Sequence, residues 1–241
     1  MCTQYPWRKK KEETMDFILL AGGVGKRMKK SIPKQLLLIG GKPIIIHTLE
    51  RIDSIKEITQ VIVTTPAEYI EQLTSLIERY KLKTHIKVVE GGDSRQSSVK
   101  KGLEHVTSEQ VIIHEAVRPF VTRDEFEGLI RAKEKNVTLG IDIPFTVLEG
   151  REKLEKILER SNLFNVQLPQ KFVVDTLKKA HEMAEKEGKE FTEDASLLFY
   201  YLGEEVSVRK GTEYNIKITT PIDMVVGEII YKDFILGRSS V

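Results

Sequence analysis

The stretch Leu19–Gln35, LLAGGVGKRMKKSIPKQ, decides the fold. Its opening residues close a short apolar run, Phe17–Ala21, which passes directly into Gly22, Gly23, Val24 and Gly25. Glycines let a backbone approach a ligand closely and turn successive N–H groups toward it, so a strand ending this way presents a cradle for phosphate. Arg27 follows, then Lys34 within Pro33-Lys34-Gln35, supplying fixed positive charge where triphosphate charge collects. Two related glycine patterns are excluded. The dinucleotide signature G-x-G-x-x-G lacks its third glycine, because position 28 is Met28. The Walker A pattern fails as well, because Gly25-Lys26 is followed by Arg27 in place of Ser or Thr.

Outward from this turn, short β-branched runs alternate with longer stretches of helical period. Gln60–Thr65, Ile86–Glu90 and Gln110–Glu115 join Phe17–Ala21 as predicted strands. All are nearly continuous in apolar residues, as parallel strands covered on both faces are. Between them, Ala67–Tyr80 places Ile70, Leu73, Leu76 and Ile77 on one helical face, and Arg95–His105 reads as a shorter helix. The alternation predicts an α/β fold: a Rossmann-like, mostly parallel sheet with helices on both faces, binding its ligand beyond the carboxyl ends of the strands. From about Val137 to Leu168 the rhythm breaks. Strand material carrying Pro144 is followed by the charged run Arg151–Arg160 and then by SNLFNVQLPQ. This segment reads as a projecting β-arm that leaves the body and returns, and its apolar content suits contact with a second chain. Lys171–Lys186 then reads as a helix, Val206–Thr220 as strand material, and Pro221–Tyr231 as a closing helix with proline in its first turn.

The 241 residues suit one domain, 16–241, behind a leader, 1–15, whose basic run Arg8–Lys11 and lack of an apolar stretch read as disordered rather than as a secretory signal. Apolar residues make up 40% and charged ones 31%, enough for a core and a solvated surface. Thirty-eight Lys and Arg against thirty-six Asp and Glu leave a charge of +2, without the strongly basic bias of a nucleic-acid binder. No apolar run approaches the roughly 18–20 residues of a membrane span. A single cysteine, Cys2, excludes an internal disulfide and a cysteine-built metal site. A cytoplasmic protein is expected. His47, His85, His105 and His181 show no zinc spacing, and His114, closing a predicted buried strand, reads as a structural hydrogen-bonder rather than a general base. The run Glu182–Lys189 reads as a solvated helix face.

The segment Leu19–Gln35 resembles the signature loop of the sugar- and polyol-phosphate nucleotidyltransferases, and most closely the cytidylyltransferases that act on 2-C-methyl-D-erythritol 4-phosphate or ribitol 5-phosphate. The blocks Gly41–Glu50, Gly91–Leu103, His114–Thr122, Glu159–Phe172, Phe191–Ser196 and Asn215–Met224 follow in the family's order, so the resemblance covers essentially everything after Met15. It implies a homodimeric enzyme joined through the arm. That enzyme joins CTP to a polyol phosphate, with release of pyrophosphate and with Mg²⁺ or another divalent cation as cofactor.

The resemblance also assigns roles. Ala21, Gly22, Gly23 and Gly25 wrap the nucleotide, with Arg27 and Lys34 on its phosphates. Gly92, Asp93 and Ser98 meet cytosine and ribose, where groups around a glycine can tell cytosine from uracil by its reversed donor pattern, and Arg95 holds that loop. Glu115 serves the acceptor or the metal, Arg118 braces the site, and Glu213 assists the metal. Arg160, Thr192 and Lys217 reach the second substrate or the transition state, Arg160 from the neighbouring subunit's arm. Two positions depart from the family: Glu115 stands where Asp is usual, and Leu168 where Thr is usual. Both fall on the acceptor side. The methylerythritol acceptor is placed ahead of ribitol phosphate, and another phosphate or phosphonate acceptor comes third. A non-catalytic nucleotide binder is disfavoured by the retained Arg27, Lys34 and Lys217. A dinucleotide oxidoreductase is disfavoured by Thr64 and Thr65, where an acidic residue closing the second strand is needed.

Overall fold

The computed structural model describes residues 14–23, 33–53 and 55–236. Its strands are β1 (Met15–Leu20), β2 (Leu38–Ile39), β3 (Lys42–Pro43), β4 (Ile58–Thr65), β5 (His85–Glu90), β6 (Gln110–Glu115), β7 (Val137–Asp142), β8 (Leu148–Gly150), β9 (Leu154–Ile157), β10 (Phe164–Val173) and β11 (Ser207–Lys210). Seven of them form one sheet in the order β11-β7-β10-β6-β1-β4-β5. β10 runs antiparallel to both its neighbours, and every other pairing in the sheet is parallel. The sheet is therefore mixed but mostly parallel, as predicted.

The helices are α1 (Ile44–Ile52), α2 (Ile70–Glu78), α3 (Arg95–Leu103), α4 (Arg123–Ile130), α5 (Val174–Glu187), α6 (Asp194–Leu202) and α7 (Pro221–Ile230). Side chains alternate across a strand, so Phe17 and Leu19 face one layer, with Leu49, Leu73 and Phe126 of α1, α2 and α4. Ile18 and Leu20 face the other, with Val99, Leu177 and Leu197 of α3, α5 and α6. That double coverage is why β1 is apolar throughout. A third cluster, Leu37, Ile39, Ile44, Phe120, Ile218 and Ile230, seats α7 and the loop 211–220 beside the first strands.

The structure departs from expectation in four places. α5 starts at Val174, because residues 171–173 complete β10. Buried polar residues of that strand donate to distant groups: Gln170 Nε2 to Thr138 Oγ1 at 2.9 Å, and Lys171 Nζ to the Ala132 carbonyl at 2.7 Å. Strand structure within 206–220 is confined to β11, with a loop beyond it. In the arm segment, β7 and the start of β10 belong to the main sheet, and residues 143–163 leave it, carrying the hairpin β8–β9. Phe145, Leu148, Leu154 and Ile157 are exposed there. Residues 1–13 of the leader lie outside the described residues, whereas Met15 is fully buried as the first residue of β1. Among the described residues no helix is long and apolar enough to cross a membrane.

Candidate active site

The chain fills the sheet from β1 outward through β4 to β5, then crosses back to β6 on the other side of β1. Reversals of this kind leave a crevice beyond the strand ends. Here the crevice is a cleft of about 280 Å³. One wall is the exit of β1. The Ala21 carbonyl accepts from Gln35 Nε2 at 2.6 Å and from Thr65 Oγ1 at 3.2 Å, which fixes the backbone where Gly22 and Gly23 face the cleft. The Lys34 N–H closes the loop base on the Gly23 carbonyl, and Lys34 Nζ donates to the Thr219 carbonyl at 3.0 Å. Gly25 and Arg27 lie outside the described residues.

The opposite wall is the turn from β5 into α3. Gly91 N–H bonds the Thr65 carbonyl at 2.7 Å, tying this turn to β4. Ser94 caps α3 in a reciprocal box with Ser97, satisfying N–H groups that a helix start otherwise leaves open. Ser98 Oγ accepts from the Gly92 N–H at 3.1 Å. A Cβ on Gly92 would sit 2.2 Å from Ser97 Oγ, so this close turn requires glycine. Gly92, Asp93 and Ser98 all line the cleft.

Between the walls lies a charged cluster. Glu115, at the end of β6, receives Lys217 Nζ at 2.9 Å, Arg95 Nε at 3.4 Å and Arg118 Nε at 3.4 Å. Burial raises its pKa, but Lys217, Arg95 and Arg118 outweigh that and hold the carboxyl below its ordinary value. Arg95 also pairs with Asp194 at 2.8 Å. Asp194 is buried, which raises its pKa, yet Arg95 and His181 bring it down to about 2. Arg118 donates further to the Asn215 carbonyl at 3.0 Å. With Lys34 and Asp93 of the lining and Asp194 behind Arg95 included, the four cations Lys34, Arg95, Arg118 and Lys217 face the three carboxylates Asp93, Glu115 and Asp194, a slight positive excess suited to phosphate groups.

The cleft thus brings together Ala21, Gly22, Gly23, Lys34, Gly92, Asp93, Ser98, Glu115 and Lys217. Arg118 stands behind Glu115 as a brace. Three expected residues lie elsewhere. Arg160 is exposed on the arm, donating to the Pro144 carbonyl, and Thr192 is exposed in the turn before α6. Glu213 is exposed in the loop 211–220 and does not line the cleft. Leu168 is 3% exposed and belongs to the apolar core, so its departure from the family puts no side chain into the cleft. His114 is fully buried, edge-on to Phe126, with its Nε2 on the Arg118 carbonyl. Burial pushes its pKa down to about 3, so it is neutral and structural. Gln35, Thr219 and Asp194 escaped sequence reasoning. All three sit inside the blocks that carry the resemblance, but their signal is a backbone or ion-pair contact visible only in three dimensions.

The described residues of the cleft do not build a cage for a resident metal. Among the described residues no group of three or more His, Cys, Asp or Glu converges. Both Glu115 oxygens already face cations, and its expected partner Glu213 does not line the cleft.

Solved structures similar to this chain include cytidylyltransferases of the methylerythritol phosphate type. The Anaerococcus prevotii 4-diphosphocytidyl-2C-methyl-D-erythritol synthase superposes with a TM-score of 0.81 at 27% identity, covering 92% of this chain and 97% of that one. The Thermus thermophilus 2-C-methyl-D-erythritol 4-phosphate cytidylyltransferase gives 0.74 at 26%, covering 91% and 99%. The class is therefore a nucleotidyltransferase that transfers CMP from CTP. Residues 15–233 match the sequence model of the 2-C-methyl-D-erythritol 4-phosphate cytidylyltransferases, and the chain belongs to that family. Its Halalkalibacterium halodurans relative of that name is 38% identical over 218 residues, 88% of this chain and 95% of the relative. The Bacillus velezensis relative is 34% identical over 224 residues, covering 90% and 97%.

Proposed function

We propose that the enzyme joins CMP from CTP to 2-C-methyl-D-erythritol 4-phosphate. The acceptor's phosphate oxygen attacks the α-phosphorus in line, a new P–O bond forms, the bond to the β-phosphate bridging oxygen breaks, and pyrophosphate leaves. A phosphate monoester is already largely ionised near neutral pH, its second pKa being about 6, so the nucleophile needs positioning more than deprotonation. Lys34 and Lys217 offset the charge that builds on the reacting phosphate and the leaving group, together with Arg27. Gly92, Asp93 and Ser98 hold the nucleoside. Glu115 orders Lys217, Arg95 and Arg118, while Thr192 and Arg160 serve the acceptor, with Arg160 reaching the site of a second copy in a homodimer. Magnesium enters on the triphosphate of its substrate, in keeping with its habit of binding through substrate phosphates and water. The proposed place of action is the cytoplasm.

The observation that carries this reading is the convergence of Lys34 and the 217–219 segment. Lys34 Nζ bonds the Thr219 carbonyl, two residues from Lys217, across 185 positions of chain, and both lysines line the cleft with the β1 glycines. The relatives' shared name sets methylerythritol phosphate ahead of ribitol 5-phosphate. The test is pyrophosphate release from magnesium CTP with each acceptor offered separately. Turnover with methylerythritol phosphate alone is expected; turnover with ribitol phosphate alone would reassign the acceptor.

A further inference from the structure

The turn between α5 and α6, residues 188–193, carries Thr192, and it is fastened from several sides. Glu193 caps α6 and also accepts from Gln170 Nε2 of β10 at 2.7 Å. Asp194, the next residue, pairs with Arg95 of α3 at 2.8 Å. Neither contact restrains the first half of the turn. There the Lys189 N–H bonds the Ala184 carbonyl and the Phe191 ring packs on Tyr200 and Tyr201, and the tie to α3 is Gln96, whose Nε2 donates to the Lys189 carbonyl at 3.0 Å while its Oε1 accepts from the Phe191 N–H at 2.8 Å. A single side-chain amide thus satisfies a carbonyl and an N–H two residues apart, as a neighbouring strand does. Gln96 directly follows Arg95, and both stand in the first turn of the helix whose start forms the nucleoside wall.

We infer that Gln96 is a positioning residue that sets the acceptor turn against the nucleotide wall. Its amide fixes the approach to Thr192, and Arg95–Asp194 fixes the departure, so the exposed Thr192 is presented between two anchors on the same helix. Gln96 touches no reacting atom. Its effect is confined to how well the turn is ordered when the acceptor arrives, because the capping box of Ser94 and Ser97, which shapes the nucleoside wall, makes no use of it. The inference rests on the assignment of Thr192 to the acceptor.

The test compares Gln96→Ala, Gln96→Glu and Thr192→Ala by steady-state kinetics with methylerythritol phosphate and CTP varied in turn, alongside amide hydrogen exchange at Phe191 and thermal melting. Gln96→Ala is expected to raise the acceptor KM about tenfold, leave the CTP KM and the kcat at saturation within about threefold, and speed exchange at Phe191. Gln96→Glu keeps the acceptor for Phe191 N–H but sets an oxygen against the Lys189 carbonyl, so it should fall between wild type and Gln96→Ala. If Thr192→Ala raises the acceptor KM and Gln96→Ala does not, the inference fails and the acceptor assignment stands. If Thr192→Ala leaves it unchanged, the assignment fails and the inference with it. A Gln96→Ala enzyme whose two KM values rise together would place Gln96 in general folding of α3, which also overturns the inference.

Discussion

Lys34 illustrates how a charged side chain is made useful at the scale of one residue. It is 7% exposed, which normally costs an ammonium much of its hydration, and the Thr219 carbonyl replaces part of that loss while leaving the group at the cleft wall. A preorganised donor of this kind is worth about 10²–10³ in rate. Lys34→Ala is accordingly expected to lose that much turnover without a matching loss of thermal stability, measured by pyrophosphate release and melting; activity within tenfold of wild type would remove it from the machinery. His114 makes the opposite case. Its native pKa of about 3 lies well below the ordinary 6.5, so the unfolded chain takes up a proton that the native one refuses. The stability it confers is complete above pH 6.5 and is lost progressively as pH falls toward 3. Between pH 7 and 5 this amounts to about 2 kcal/mol, and His47, also lowered by burial, adds with the same sign. Asp194 does not enter that window, since its shift acts only below the ordinary carboxyl value of 3.8. Denaturant titrations at the two pH values should show a shallower dependence in His114→Phe; an unchanged slope would put the acid sensitivity elsewhere.

Among the elements, α3 is the one whose start does most for the site; Gly92 tests that start, and Gly128 of α4 supplies a contrast of opposite sign. An alanine Cβ at Gly92 meets Ser97 Oγ at 2.2 Å and the Ser97 carbonyl carbon at 2.9 Å, so Gly92→Ala must displace the residue that completes the α3 cap. The expected cost is about 1–3 kcal/mol, with a raised CTP KM. Gly128 lies inside α4 with nothing within 4 Å of its missing Cβ, and Gly128→Ala should stabilise by about 0.5–1 kcal/mol. Equal effects in urea titrations would contradict the contrast. What could be read from the chain follows the same logic of elements. Strands covered on both faces are continuous in apolar residues, so β1, β4 and β6 were legible, and with them the position of the phosphate turn; β5, half-exposed at the sheet edge, was legible from its Ile86, Val88 and Val89. α1 begins with three isoleucines, Ile44–Ile46, whose β-branched side chains mimic a strand, and α6 carries Phe199, Tyr200 and Tyr201, which do the same. β10 hides in the other direction. Its Gln167, Gln170 and Lys171 are buried but bonded to groups far away in sequence, so local pattern cannot reveal a strand. The ion pairs of Arg95 are equally remote, which is why its place in the cleft emerged only from the fold.

For the molecule as a whole, the question is what completes the acceptor half of the cleft. Arg160 bonds within its own arm and lies away from the cleft lining, while the arm around it exposes Phe145, Leu148, Leu154 and Ile157. If the arm serves a second copy, Arg160→Ala and Lys34→Ala chains, each impaired alone, should complement on mixing. Random exchange makes half the dimers hybrid, each with one intact site, so about a quarter of wild-type activity is expected. No recovery after exchange, verified by sedimentation of the mixture, would confine Arg160 to its own subunit. The ends of the sheet bear on this choice of surface. One margin is β11, four residues long and carrying Arg209 and Lys210; the other is β5, with Lys87 and Glu90 pointing outward. Short, charged margins resist the main-chain pairing by which open sheets join into fibres or continuous ribbons. Copies of this chain are thereby steered away from indefinite stacking, so that crowding in a cell does not turn its open sheet into a template for growth.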